Sequence, residues 1–417
     1  MRTRPLRVLA ALAALALAAS LGTSASATPG NGTDSGVVVD WNRIALRTVY
    51  AEGGTPVPAG PLYLGFTSLA VHDAVTTATD RRTGDGRVSV VAAAAVAAHD
   101  VLVEYFPGSA VGLDADLARW LGSVKDGPAE DTGVAIGAAA ADRMVASRVG
   151  DGRGSTSHPF TLAPAPGVWR PTTPGTSMAV PWLGFVTPLV LDSATQIQLQ
   201  GPDALTSAAY AADFDETRLL GSATSTVRSA EQTQTALFFN DNVIRQLVLA
   251  LADNLTEHPR SIAATSRIFA VANAAIADGL ITTWRAKHDV GFWRPVTAIR
   301  EADTDGNTLT VADPGWTPLV GLTGTPPYPE NASGHATVTN AVTTALALLQ
   351  HGDHTDLELE SFVPGLVDGH RHYSSLRDLS DDAFDARIWL GIHFRAAMDD
   401  GRHVGQEAAR LVAERVD

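Results

Sequence analysis

Apolar residues recur at three- and four-residue spacing along most of this chain. The stretches "VVVDWNRIALRTVYAEG", "PLYLGFTSLAVHDAVTTA", "VVAAAAVAAHDVLVEYF" and "GVAIGAAAADRMVASRVG" all carry that period. It is the mark of a helix that buries one face. Their alanine content adds high helix propensity and allows close packing. The period returns after residue 228 in "SAEQTQTALFFNDNVIRQLVLALADN", "RSIAATSRIFAVANAAIADGLITTWRAKHD" and "ATVTNAVTTALALLQHG". It closes the chain in "SDDAFDARIWLGIHFRAAM" and "DDGRHVGQEAARLVAERV". Convincing alternating runs are nearly absent. The pattern predicts an all-α protein of two packed helical bundles, one over 37–228 and one over 229–417.

The segment 159–188 interrupts the helical pattern with many prolines. It also carries Phe160, Trp169, Trp182 and Phe185, which a free linker rarely holds. It is expected to lie ordered and extended across the bundle. No repeat of 20–50 residues is evident. Residues 1–27 have a different character. "MRTRPLR" is basic, "VLAALAALALAASLG" is a short apolar run, and small residues close it at Ala25–Ala27. This is the layout of a secretory signal, so the expectation is a secreted, extracellular protein after cleavage, with 28–36 flexible. No later run reads as membrane-spanning.

Composition removes further classes. There is no Cys, which excludes disulfides, thiolate nucleophiles and Cys-based metal sites. The formal net charge is −15. An acidic chain is a poor binder of nucleic acid or anionic lipid.

Against that background "KHDVGFWRPVTAIR", Lys287 to Arg300, is a basic cluster. Lys287 and Arg294 are seven residues apart, about 10.5 Å of rise if helical, with little angular drift. Pro295 biases Arg294 out of helical geometry and can start a new helix, so Arg294 is expected at an inward-facing bend. A second stretch, Ser333-Gly334-His335, opens an apolar helical run. Ser is a strong N-cap, Gly lets an anion approach the backbone, and a helix N-terminus favours anions. A third stretch pairs Arg387 with His393. With Ser380-Asp381-Asp382 read as a helix start, the two share one helix, about 120° apart. One Lys, two Arg, a Ser hydroxyl, a Gly N–H and two His make a binding set for a tetrahedral oxyanion. One His could bind the central atom and the other shuttle protons.

Lys-x6-Arg-Pro, then Ser-Gly-His, then Arg-x5-His resembles the vanadium-dependent haloperoxidases and the related type-2 phosphatidic acid phosphatases, in their soluble bacterial haloperoxidase-like branch. The resemblance covers about Ala230 to Ala409, with the proline-rich crossing and "TSAAYAADFDE" also similar. It implies an all-α bundle fold with the active site in the C-terminal bundle. It further implies that Lys287, Arg294, Ser333, Gly334 and Arg387 hold vanadate or phosphate oxygens. His393 would be the apical vanadium ligand, or in a phosphatase the nucleophile that forms a phosphohistidine. His335 would be the general acid/base. Trp284 and Tyr328 match places that line the halide side of the pocket. The implied cofactor is vanadate, with hydrogen peroxide, a halide and a small organic acceptor as partners; a homodimer is left open. The alternatives are an acid phosphatase, with phosphate as substrate group and no cofactor, and a non-catalytic oxyanion-binding protein. Ala332 replaces the usual Pro before Ser-Gly-His, and Ala386 stands where Ser is common before the Arg.

Other features have plainer readings. The earlier of the two "WRP" stretches, Trp169-Arg170-Pro171, lacks a Lys seven residues before it and reads as packing. There is no Gly-x-Ser-x-Gly elbow, which argues against a Ser hydrolase. His351, His354, His370 and His372 read as a solvated acidic loop rather than a metal site. Asp241, in "FFNDN", is a candidate to orient a cradle arginine. His288, Asp289 and Arg300 are expected to serve packing and surface pairing.

Overall fold

A computed structural model describes residues 35–85 and 88–417, with the side chains of 82–85 left aside. The signal-like segment 1–27 and nearly all of 28–36 lie outside these residues; Gly36, the last of them, already begins a helix. The helices of the earlier part are α1 (Gly36–Leu46), α2 (Gly60–Asp85), α3 (Val90–Tyr105), α4 (Ala110–Leu121), α5 (Pro128–Ser147) and α6 (Ala208–Leu220). The later ones are α7 (Ala230–Phe238), α8 (Val243–Glu257), α9 (Ile262–Val290), α10 (Pro295–Arg300), α11 (Gly334–Gln350), α12 (Leu376–Trp389) and α13 (Arg395–Ala413). The described residues are all-α but for one hairpin, β1 (His354–Glu360) and β2 (His370–Ser375).

Local chemistry sets many of the boundaries. Side chains of Ser89, Ser207, Ser261, Ser333 and Ser375 accept backbone N–H groups at the starts of α3, α6, α9, α11 and α12. Each satisfies a donor that the first turn would otherwise orphan. Ser229 and Gln232 form a reciprocal capping box on α7. Pro128 and Pro295 stand at the first positions of α5 and α10, where their missing N–H is harmless.

The core is organised around α9. It packs against α2, α11 and α13 and is buried nearly all round. Among the described residues, α9 is the one helix long and apolar enough to cross a membrane. The sequence reading of no later membrane-length run is corrected here, since the apolar run is longer than it looked. Its polar residues explain its place as a core helix. Asn273 donates to Asn42 and Ser68 from neighbouring helices, and Thr283 bonds Thr337 of α11. Such pairing satisfies buried polar groups inside a helical interior.

The proline-rich segment has little regular structure but is tied down along its length. Trp169 N donates to Gly291 O at 2.7 Å, and Trp293 N donates to Gly167 O at 2.9 Å. Ala179 N donates to Pro327 O at 2.9 Å. Arg170 of the earlier "WRP" pairs with Glu301, and Trp169 is buried.

Three local expectations are corrected. The run 229–254 is not one helix; it breaks at 239–242, and Asn242 caps α8 with its side chain. The helix before His393 starts at Leu376, with Ser375 as cap, and stops at Trp389. Arg387 and His393 therefore do not share a helix. The histidine-rich segment is a hairpin whose β1 buries Thr355, Leu357 and Leu359 and exposes His354, Asp356, Glu358 and Glu360. The four histidines are spread along it. His351 ends α11 in a left-handed conformation, while His370 and His372 face acids of β1 across the ladder.

Candidate active site

Four chain segments meet around the basic cluster. The first is the junction of α9 and α10. Lys287 lies in the last turn of α9, at the helix end whose dipole favours a cation. Gly291 ends that helix with φ 61°, and a Cβ there would run into Phe160 and Leu162. Only glycine meets both conditions. The sharp stop lets Arg294 follow in extended conformation, as the N-cap of α10. Lys287 and Arg294 are fully buried at 0 % exposure.

The second segment is the loop before α11. Lys287 Nζ donates to the carbonyls of Pro329 and Glu330 at 2.8 and 3.0 Å. Arg294 Nε donates to Tyr328 O at 2.9 Å. The Tyr328 ring faces both cations, with Lys287 Nζ and the Arg294 guanidinium carbon 5.1 and 5.0 Å from its centroid. Trp284 packs beside it, its ring centroid 4.9 Å from that of Tyr328 and 5.7 Å from Lys287 Nζ, and its indole N–H bonds Ala179 O. Asn331 is anchored to Asp400 of α13 at 2.9 Å, and Asp400 also holds the backbone of Gln200 and Gly201. Ser333 is buried and caps α11, which leaves Gly334 and His335 in the first turn.

The third segment is the break between α7 and α8. Its backbone, not its side chains, faces the site. Phe239 O accepts from Arg387 Nη1 at 2.8 Å, and the Asp241 backbone hydrogen-bonds the His335 ring. His335 Nε2 has no partner, so that bond uses Nδ1. The Asp241 carboxylate points away and pairs with Arg245 at 2.8 Å. Its expected role in orienting a cradle arginine is thus corrected: it acts through its main chain, on a histidine.

The fourth segment is the α12–α13 turn. Arg387 is on the last turn of α12, and His393 sits in the turn itself. His393 Nδ1 is 2.9 Å from Glu330 Oε1, and Nε2 is 3.2 Å from Arg294 Nη1. Arg294 Nη1 also donates to Ile392 O at 2.8 Å. Lys287, Arg294, Ser333, Gly334, His335, Arg387 and His393 are thereby brought to one place, with Trp284 and Tyr328 along one side. His288, Asp289 and Arg300 stay out; Asp289 pairs with Arg285, and Arg300 bonds Trp316 O.

The electrostatics of this cluster are unusual. Burial, followed by the nearby Arg294, holds the Lys287 amine well below its ordinary range. Burial lowers Arg387 to about 9. Burial and Arg387 depress His335, while burial and Arg294 depress His393, both well below the usual imidazole value. Both histidines are neutral near pH 7. Each also feels the other cations of the set, which is the electrostatic sign of one shared site. The acid within the cluster is Glu330, and burial raises it to about 8.

Buried polar atoms are left over. Arg294 Nη2, Arg387 Nε and His335 Nε2 are buried without a hydrogen-bond partner. Other interior groups, such as Trp41 Nε1 and Thr48 Oγ1, share that state, but these three are gathered in one cationic cluster. A tetrahedral oxyanion such as vanadate fits: it brings the missing negative charge and acceptors for the two arginine donors.

Glu330 was not singled out by sequence reasoning, nor were the carbonyls of Phe239 and Asp241. A lone acid in "PPYPENASGH" was the available signal for Glu330. For the carbonyls there was none, because side-chain patterns do not report main-chain direction.

Comparison with known proteins agrees with this picture. Residues 267–417 match the model of the vanadium chloroperoxidase second helical-bundle domain. The vanadium chloroperoxidase of Curvularia inaequalis is 24 % identical over 305 residues, which is 57 % of this chain and 49 % of that protein. The match thus spans about half the length of this relative. Among solved structures, a bacterial vanadium-dependent iodoperoxidase superposes with a TM-score of 0.74 at 23 % identity, covering 93 % of this chain and 97 % of the other. A holo-type bacterial vanadium-dependent chloroperoxidase gives 0.67 at 17 %, covering 87 % and 92 %. Residues 267–417, which hold all the motif residues from Lys287 to His393, are thus similar to the second helical bundle of vanadium chloroperoxidase, and the chain as a whole has the fold of the vanadium haloperoxidases.

Proposed function

We propose that this chain is a vanadium-dependent haloperoxidase that oxidises halide with hydrogen peroxide at a bound vanadate. The observation that carries the reading is the buried cationic cluster with unpartnered donors on Arg294 and Arg387 and the free Nε2 of His335. Bound vanadate supplies a Lewis-acidic centre that activates peroxide for oxygen transfer to halide. Lys287, Arg294, Arg387, Ser333 and the Gly334 N–H would hold its oxygens, and His393 Nε2 would ligate the metal. These donors stand in a dry interior, where they withdraw charge more strongly than in water. His335, neutral and fixed through Nδ1 by the Asp241 backbone, has Nε2 free to take a proton from incoming peroxide. Trp284 and Tyr328 form the aromatic wall along which halide would approach. Relatives whose names state chloroperoxidase and iodoperoxidase support the class of reaction and leave the halide to experiment.

The test is reconstitution of the full chain with orthovanadate, followed by peroxide-dependent bromination of a dye and, separately, hydrolysis of an aryl phosphate. Bromination that requires vanadate is the expected result. Phosphate hydrolysis without bromination would replace the reading with an acid phosphatase acting through His393. Neither activity, with retained oxyanion binding, would leave a binding protein.

A further inference from the structure

Glu330 lies behind His393, at 1 % exposure, on the ring edge opposite Arg294. One of its oxygens, Oε1, has two neighbours. His393 Nδ1 is 2.9 Å away, and the backbone N–H of Phe394 donates to the same oxygen at 2.9 Å. On the opposite edge of the ring, His393 Nε2 faces Arg294 Nη1 at 3.2 Å. A guanidinium nitrogen can only donate. Nε2 must therefore present its lone pair, and the proton of the neutral ring must be on Nδ1, directed at Glu330. Turning the ring over would put carbon against both partners and lose both bonds. The backbone of the residue is held as well, since Thr217 Oγ1 donates to His393 O at 3.1 Å.

From this we infer that Glu330 is the positioning residue of the site: it fixes His393 in the Nδ1–H tautomer and one ring orientation, with the Nε2 lone pair aimed at the bound oxyanion. Glu330 can play this part charged or neutral. A carboxyl proton can sit on Oε2 and still leave Oε1 an acceptor. The bond to Phe394 N–H makes the device rigid, because carboxylate, ring and following peptide share one oxygen. A carboxylate behind a ligating imidazole raises ligand basicity, and loss of such a partner typically lowers metal affinity about 10- to 100-fold. The functional half of this inference rests on the proposed oxyanion site; the tautomer half stands without it.

The experiment separates the two halves. Full-length protein carrying ¹⁵N-histidine is examined by long-range ¹H–¹⁵N correlation without added anion, as wild type, E330Q and E330A. The His393 resonances are assigned by their loss in H393A. Wild type is expected to show a protonated Nδ1 and an unprotonated Nε2. E330A is expected to lose this single tautomer, with Gln at 330 restoring it in part through its amide oxygen. Orthovanadate affinity, measured by calorimetry, should fall about 10- to 100-fold in E330A and less in E330Q. Wild-type His393 with its proton on Nε2 would overturn the inference. So would an E330A protein with unchanged tautomer and affinity. The expected tautomer in a wild-type protein that binds no vanadate would instead sink the proposed function and leave the positioning role intact. If E330A does not fold, E330Q and the wild-type spectrum decide the matter.

Discussion

Arg387 shows most directly what the site asks of single residues. It is 2 % exposed, its Nη1 bonds one carbonyl, and its Nε has no partner. Burying a charge with so little compensation costs several kcal/mol. The same feature makes it a strong anion donor. Arg387→Met should therefore leave the ligand-free melting temperature unchanged or higher, although Phe239 O loses its partner. Orthovanadate affinity should fall roughly 10- to 100-fold, the equivalent of one charge-assisted hydrogen bond. Calorimetric melting and titration check both; a destabilised protein with full affinity would contradict the assignment. The depressed histidines carry a second prediction. Burial and Arg387 hold His335 below its ordinary value, and burial and Arg294 do the same to His393. An incoming oxyanion offsets those cations, so each pKa rises on binding. Between the free and bound values the complex holds protons that the free protein lacks, so binding takes up protons. Lys287 and Glu330 shift in the same upward direction when a negative charge arrives, which keeps the sign unambiguous. Sulfate is a suitable probe because its own protonation is fixed near neutrality. Titration at pH 6.5 in two buffers of different ionisation enthalpy should show net proton uptake, and release would contradict the assigned environment.

At the scale of elements, the position of Ser333 is set by how closely α11 and α13 approach. At Gly401 of α13 an added Cβ would collide with the Ser333 carbonyl oxygen and press on the Ala336 methyl. Backbone cannot yield as a side-chain end can. Gly401→Ala should destabilise the fold by about 1–3 kcal/mol, as overpacking does, and should also displace the cap of α11. Reduced oxyanion affinity is then expected beyond what the stability loss explains. Gly352→Ala is the control, since nothing lies within 4 Å of a Cβ there. Urea unfolding and anion titration of both variants give the comparison. The elements also explain what was legible in the chain beforehand. Helices such as α9 and α11 announce themselves because a buried helix needs a long apolar period. Lys287, Arg294, Ser333 and His335 were readable because short spacing and capping chemistry tie them to helix ends. Glu330 was not, because its partner, His393, is 63 residues away. The break at 239–242 was hidden for another reason: with apolar runs on both sides, Asn240, Asp241 and Asn242 read as the polar face of a continuing helix. The end of α12 at Trp389 was hidden too, since "RIWLGIHF" keeps a helical look, and Gly391 leaves the helix only in the folded chain, with φ 78°. The hairpin was short, acidic and half exposed, so its alternation in "HTDLELE" resembled a solvated loop.

The whole molecule depends on how the proline-rich crossing is joined to the core. Asp278, at the middle of α9, is 0 % exposed. Its carboxylate accepts the backbone N–H groups of Leu189, Val190 and Leu191 at 2.6, 2.8 and 2.8 Å. One buried side chain thus secures the end of the crossing to the central helix. The start is secured by the Val168–Phe292 bridge, and the middle by Ala179, which bonds both Pro327 and Trp284. The crossing therefore reaches the loop of Tyr328 and Glu330 through backbone contacts. Asp278→Asn replaces one acceptor oxygen by an amide donor and leaves at least one N–H facing another. An unsatisfied buried donor costs about 1–3 kcal/mol, so a loss of roughly 2–5 kcal/mol is expected for the site as a whole. Because α9 packs on α2, α11 and α13, that loss should appear in global urea unfolding. Hydrogen exchange should quicken across α9 as well as at 189–191. Oxyanion affinity should weaken too, through the Ala179 contacts to Trp284 and Pro327. An unaltered urea midpoint, with fast exchange confined to 189–191, would make the crossing a surface strap and remove its claim on the geometry of the site.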